Sequence, residues 1–164
     1  MSDARFEDGA APGGGRDAPL HLKAMDAEDL QVISSLVQDA VFPITEMRWR
    51  RGKRRFVVLV NRFRWEDRDA AETAGRGFER VRSVLAVEDV QLVSSQGIER
   101  REKDTVLAVL SVRFEPGHDG SGRVILTLAG DGAIALEVEC LEVTLRDVER
   151  PYLAPSGRVP GHDD

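Results

Sequence analysis

Three histidines, one cysteine and a run of arginines alternating with aromatics are the residues here with most chemistry to offer. Histidine is the usual general base and a common metal ligand near neutral pH. His21 and His162 fall in terminal segments, and His118 sits in the turn-like Gly117-His118-Asp119-Gly120. None has the HxH or HExxH spacing that brings two imidazoles onto one ion, so they read as exposed loop side chains. No metal or other cofactor is expected. Cys140 lies among Val138, Leu141 and Val143, where a thiol usually serves as a small buried apolar group. Neither a helix N-terminus nor a histidine stands beside it to lower its pKa. Ser94-Ser95-Gln96-Gly97 ends a strand instead of turning into a helix, and no Gly-x-Ser-x-Gly elbow occurs.

Carboxylate pairs are equally plain. Glu137 and Glu139 share one strand face, opposite Ile134, Leu136 and Val138, as acids on a wet surface do. Asp119 and Asp131 occupy turns, and two ligands fall short of the six or more oxygens that calcium prefers. Lacking an acid, base, nucleophile or ligand set, the chain is expected not to be an enzyme. The rival reading is a cleft built from Arg62, Glu66 and Asp67 alone.

The segment Asn61-Arg62-Phe63-Arg64-Trp65-Glu66-Asp67 belongs to a larger basic block. Twelve basic and six acidic residues fall between Glu46 and Arg82, a local charge of +6 against −12 for the remainder. Such asymmetry suits a docking surface for an acidic partner. Alternation sends Phe63 and Trp65 to one face of a strand and Arg62 and Arg64 to the other. Nucleic-acid platforms need aromatics and arginines together on one exposed face. Opposed faces, 5% aromatic residues and a pI near 5.2 therefore disfavour nucleic acid. The expected contact is a protein, or a second copy of the chain, met by Arg48, Arg50, Arg62 and Arg64. Trp49, Phe63 and Trp65 would lie beneath that face or at its rim. A nucleic-acid module using the same face is the alternative.

These side chains must be held by an ordinary framework. With 164 residues, 41% hydrophobic and 32% charged, the chain suits one well-filled core. A lone cysteine forms no internal disulfide, and the start of the sequence lacks a basic stretch followed by an apolar run. A cytoplasmic protein without a membrane span is expected. Residues 1–20, with Gly13-Gly14-Gly15, read as a disordered leader, 21–152 as one domain, and 153–164 as an extended or disordered tail.

Leu30, Ile33, Val37 and Val41 step by three and four, which predicts an amphipathic helix over 27–41, N-capped by Asp26 and stopped by Pro43. Strands follow at 47–50 and 55–65, then a polar loop with some helical turn, then a strand pair, 81–87 and 90–95. Val124, Leu126 and Leu128, then Ile134, Leu136 and Val138, alternate about Gly130-Asp131-Gly132, a hairpin whose glycines supply positive φ. Beyond Val138 the phase slips, as a bulge near Glu139-Cys140 would cause, and 141–148 fits either a strand or a short helix. Residues 109–115 resemble 58–64, so two three-stranded meanders, duplicated or alike by chance, are expected to fold together. The predicted fold class is α+β: an N-terminal helix, then six to eight mainly antiparallel strands forming a small barrel or two packed sheets. A pleckstrin-homology-like barrel is the leading specific architecture.

Leu36-Val37-Gln38-Asp39-Ala40-Val41, Arg55-Phe56, Asn61 to Glu66, and Glu137 to Glu142 with Arg146-Asp147 together resemble a family of short bacterial proteins. That family is catalogued only as a domain of unknown function. The resemblance covers about 22–155 and implies a bacterial, alphaproteobacterial-type origin. It brings no catalytic residue with it.

Overall fold

The fold was taken from a computed structural model, which describes residues 18–75, 79–99, 104–149 and the backbone of 152–153. The expected leader and tail otherwise lie outside the described residues, as do 100–103 of the expected loop after Gly97. Eleven strands are present in that set: β1 (His21–Ala24), β2 (Val41–Pro43), β3 (Met47–Arg50), β4 (Arg55–Phe63), β5 (Glu79–Val87), β6 (Val90–Gln96), β7 (Val106–Pro116), β8 (Gly122–Leu128), β9 (Ala133–Val138), β10 (Val143–Asp147) and β11 (Tyr152–Leu153). All their pairings are antiparallel. The strands beyond the expected six to eight include β1, β2 and β11, of four, three and two residues, too short for alternation to mark them.

One open sheet results, in the order β1-β10-β5-β4-β2-β7-β8-β9-β6, with β3 added to β4 and β11 to β5. The short β2 joins its two halves, pairing Val41 with Asn61 of β4 on one side and with Ala108 of β7 on the other. A single buried cluster gathers Leu22 and Leu145 from one end, Val58 and Leu85 from the middle, and Val90 and Ile134 from the other end. Enclosing each such side chain contributes about 1.5–3 kcal/mol.

Helix α1 (Ala27–Leu36) follows β1, so the first element is a strand and not the helix. Asp26 caps it as expected, its carboxylate accepting from Asp29 N–H at 2.8 Å. Leu30, Ile33 and Leu36 face the core, against β1 and β7. The helix ends at Leu36, short of the predicted residue 41, because the chain is recruited to β7. Asp39 adopts φ +64° and donates to Val109 O at 2.8 Å, and Ala40 O accepts from Val109 N–H at 2.8 Å. Those ladder bonds, rather than Pro43, stop it.

The β7-β8-β9 meander is as read, with Leu128 N–H bonded to Gly132 O at 2.8 Å. Positive φ falls on Gly130 and Asp131, +80° and +68°, and not on Gly132. The first meander differs. β4 and β5 pair along their length, but β6 leaves β5 and pairs with β9. The second edge of β5 is occupied by β10, and the turn at Asp89, φ +57°, carries β6 across to the other half. The chain at 139–142 is a bend, not a bulge, and 143–147 is strand. The polar stretch after β4 folds into helix α2 (Arg68–Ala74) behind a 3₁₀ turn at Trp65–Asp67, so β4 ends at Phe63.

Candidate functional site

Burial along β4 alternates, with Phe56, Val58, Val60 and Arg62 all inward. Arg62 shares the parity of the core residues and is 0% exposed. A buried guanidinium must be matched by charge, and the neighbouring strands supply it. Asp147 on β10 lies across from Ser83 on β5, and its Oδ1 accepts from Arg62 Nη2 at 3.0 Å and from Ser83 Oγ at 2.7 Å. Asp147 Oδ2 accepts from Leu20 N–H at 2.9 Å, which ties the start of the domain to its last long strand. Glu66 closes the other side with two bonds to Arg62, each 2.9 Å. Burial disfavours the charged forms, yet the hydrogen bonds and opposite charges outweigh it. The Arg62 pKa is raised, and that of Glu66 lowered, from their ordinary values.

Arg64 is enclosed as well, at 4% exposure, beside Glu79 and Asp67. The exposed contact face expected to include Arg62 and Arg64 is therefore corrected: both lie inside, neutralised. Phe63 is buried and meets the half-buried Trp65 edge-on at 4.7 Å, while Trp65 Nε1 donates to Gln38 O at 2.9 Å. These aromatics are structural fixtures. Nor does the rival Arg62, Glu66, Asp67 set face an open cleft, since Arg62 is sealed and Glu66 is held ionised against it.

Most of the basic block is neutralised in the same way. Arg54 pairs with Glu139, Arg55 with Glu88, Arg68 with Glu72 and Arg82 with Glu149. Arg80 Nε bonds Asn61 at 2.6 Å. Among the described residues, Arg48, Arg50, Arg51 and Lys53 are the members of the block with no carboxylate partner. Four free cations on six residues concentrate the charge that the whole 46–82 span was expected to carry.

Two of them, Arg48 and Arg51, border a cleft. Ile44, Met47, Arg48, Trp49 and Arg51 form one wall, Val93 and Ser95 of β6 another, and Phe56 and Ile134 the floor, around about 400 Å³. That volume lies within the range of ordinary ligand sites. Local sequence explains the wall. Alternation on β3 turns Met47 and Trp49 half inward and leaves Arg48 and Arg50 exposed. The 3₁₀ turn at Arg51–Lys53, closed by Arg54 at φ +53°, folds Arg51 back over the Trp49 ring at 4.5 Å. Trp49 Nε1 is buried without a hydrogen-bond partner. An unsatisfied buried donor costs about 1–3 kcal/mol. The site can thus receive an apolar group flanked by negative charge.

Of the residues singled out from sequence, Arg48 and Trp49 line the cleft, Arg50 follows them on β3 without lining it, and Arg62, Phe63, Arg64 and Trp65 lie elsewhere. Arg51, Phe56 and Ile134 were missed. Arg51, two residues from Trp49, was readable as a possible cation–π partner; nothing local marks Ile134. Cys140 is exposed and not an apolar core residue, since it sits in the bend after β9. Its Sγ donates to Asp89 at 3.1 Å, and this bond, with burial and nearby acids, raises the thiol pKa. His118 is also exposed. Among the described residues, no group of three or more His, Cys, Asp or Glu is placed to hold a metal ion, and no helix is long and apolar enough to cross a membrane.

Residues 20–162 match a family described as a protein of unknown function, DUF2948. No curated protein and no solved structure matches the chain.

Proposed function

We propose, for a chain that belongs to the DUF2948 family, that the domain is a non-catalytic cytoplasmic interaction module. It binds a protein partner through the cleft beside β3, taking an apolar side chain onto Phe56 and Ile134 and acidic groups onto Arg48 and Arg51. The observation that carries this reading is the cleft itself, with Phe56 and Ile134 among its apolar lining and Arg48 and Arg51, which have no carboxylate partner among the described residues, at its border. Amphipathic anchors of this kind, Trp and Arg above all, commonly supply binding energy. The open sheet serves it as a partly closed, pleckstrin-homology-like barrel, a reading supported by the one core cluster that draws on strands from both ends. The gap in the wall is then where the cleft lies.

Site-specific photo-crosslinking in the native host tests it. A photoreactive residue at Arg51 is expected to give a defined protein adduct that survives nuclease and disappears with Trp49→Ala. The same residue at Arg113, exposed on β7, is expected to give none. An adduct removed by nuclease would transfer the face to nucleic acid. Equal adducts at both positions, or none at Arg51, would overturn the reading.

A further inference from the structure

We infer that the cleft receives its partner as an added β-strand, laid against the free edge of β3. The inference rests on the proposed use of this cleft and specifies how the partner is read. Two ladders stop at the cleft. Among the described residues β3 pairs only with β4, and β6 pairs only with β9. Met47 and Trp49 from one edge and Val93 and Ser95 from the other line the same space. At one end the start of β6 is tied to the residue before β4, Val90 N–H donating to Arg54 O at 2.8 Å. Among the described residues β3 and β6 do not pair with each other, and the core residues Phe56 and Ile134 line the space they share.

Unpaired strand edges offer rows of N–H and C=O groups that an extended peptide can complete. Register follows from alternation, because side chains directly across a ladder share a face. A strand beside β3 therefore turns residues opposite Met47 and Trp49 down to the apolar floor. Residues opposite Arg48 and Arg50 point out among the free cations. The partner segment thus alternates apolar and acidic residues, with charge complementarity selecting it and main-chain bonds holding it. β3 spans four residues, so a seven-residue peptide covers it with flanks.

The probe is a set of fluorescent peptides Glu-x-Glu-x-Glu-x-Glu, with x drawn from Leu, Ile, Val and Phe, read by polarisation against the full chain. Saturable binding is expected, weakened at least tenfold by the double variant R48E/R50E, whose sites are exposed. Heptaglutamate is expected to bind at least tenfold more weakly, because it lacks the apolar residues. N-methylation of alternate amides, made as two complementary sets, is expected to cost at least tenfold in one set. Both sets binding within twofold of the parent would overturn strand addition, as would heptaglutamate binding equally well. So would no peptide binding at all. Dimers by light scattering that dissociate with R48E/R50E would give the edge to a second copy and also overturn it. Cleft adducts from the crosslinking experiment persisting alongside any of these results would leave the interaction reading intact, so the two failures are distinguishable.

Discussion

Replacing Asp147 by Asn tests whether the buried Arg62 cluster holds the two ends of the domain together. The change keeps volume and shape but removes the charge. Each hydrogen-bond partner of the carboxylate acts as a donor: Leu20 N–H at 2.9 Å, Arg62 Nη2 at 3.0 Å and Ser83 Oγ at 2.7 Å. An amide must turn its NH₂ toward one of them, leaving that donor unsatisfied. Breaking a buried ion pair from one side costs about 3–5 kcal/mol. Arg62 retains its two 2.9 Å bonds to Glu66, which places the loss at the lower end. About 3 kcal/mol is expected, or on the order of 12 °C in Tm at roughly 4 °C per kcal/mol for a domain of this size. Urea unfolding followed by circular dichroism reads it. The triple change R62M/E66Q/D147L, which removes charge from all three groups, is expected to recover much of the loss, since buried ion pairs often exchange for apolar packing at little net cost. A D147N loss below about 1 kcal/mol would refute the reasoning, as would a triple variant no more stable than D147N.

Three more outcomes follow from the same geometry. Glu66, whose pKa is lowered in the folded protein, contributes its full stability above the ordinary value of 4.5 and loses it as pH falls through the lower folded value. Stability curves of the wild type and E66Q should therefore differ at neutral pH and converge in acid, and parallel curves would refute the pairing. Gly122→Ala would drive a Cβ onto Glu115 O and to 2.7 Å from the Phe114 ring, whereas Gly130→Ala meets nothing within 4 Å but must hold φ +80°. Overpacking should cost about 1–3 kcal/mol at the first, with the β7-β8 register disturbed in amide exchange. Strain alone should cost about 1–2 kcal/mol at the second, with the register kept. Cys140, exposed but bonded to Asp89, should alkylate more slowly at pH 8 than a free thiol, and Asp89→Asn should speed it. No acceleration would mean that the bond does not hold the proton.

How far these features could be read from sequence depends on the distance over which each is decided. The Asp26 cap and the β8-β9 hairpin are set by neighbours a few residues apart, and local pattern reaches them, whereas 143–147 fits strand and helix alike until its pairing with β5 decides it. Arg62 is an intermediate case. Its parity with Phe56, Val58 and Val60 already placed it on the core face; reading Phe63 and Trp65 as the inward pair reversed that assignment. Both faces of this strand are partly enclosed, so an aromatic is no guide to which one a neighbouring arginine avoids. What made burial tolerable is Asp147, 85 residues away, on a strand whose pairing with β5 no local signal reveals. The cleft lies further still from the sequence. Trp49 and Arg48 could be assigned opposite faces of β3, but whether the Trp49 face is covered depends on where β6 goes. Had β6 paired with β5, as adjacent strands commonly do, Val93 and Ser95 would lie elsewhere and no second wall would exist. Because β10 holds that edge, β6 crosses to β9 and ends the sheet opposite β3. The cleft is thus the outcome of a competition for one edge of β5, with the arginines that have no carboxylate partner among the described residues lying on and beside the strand it leaves exposed.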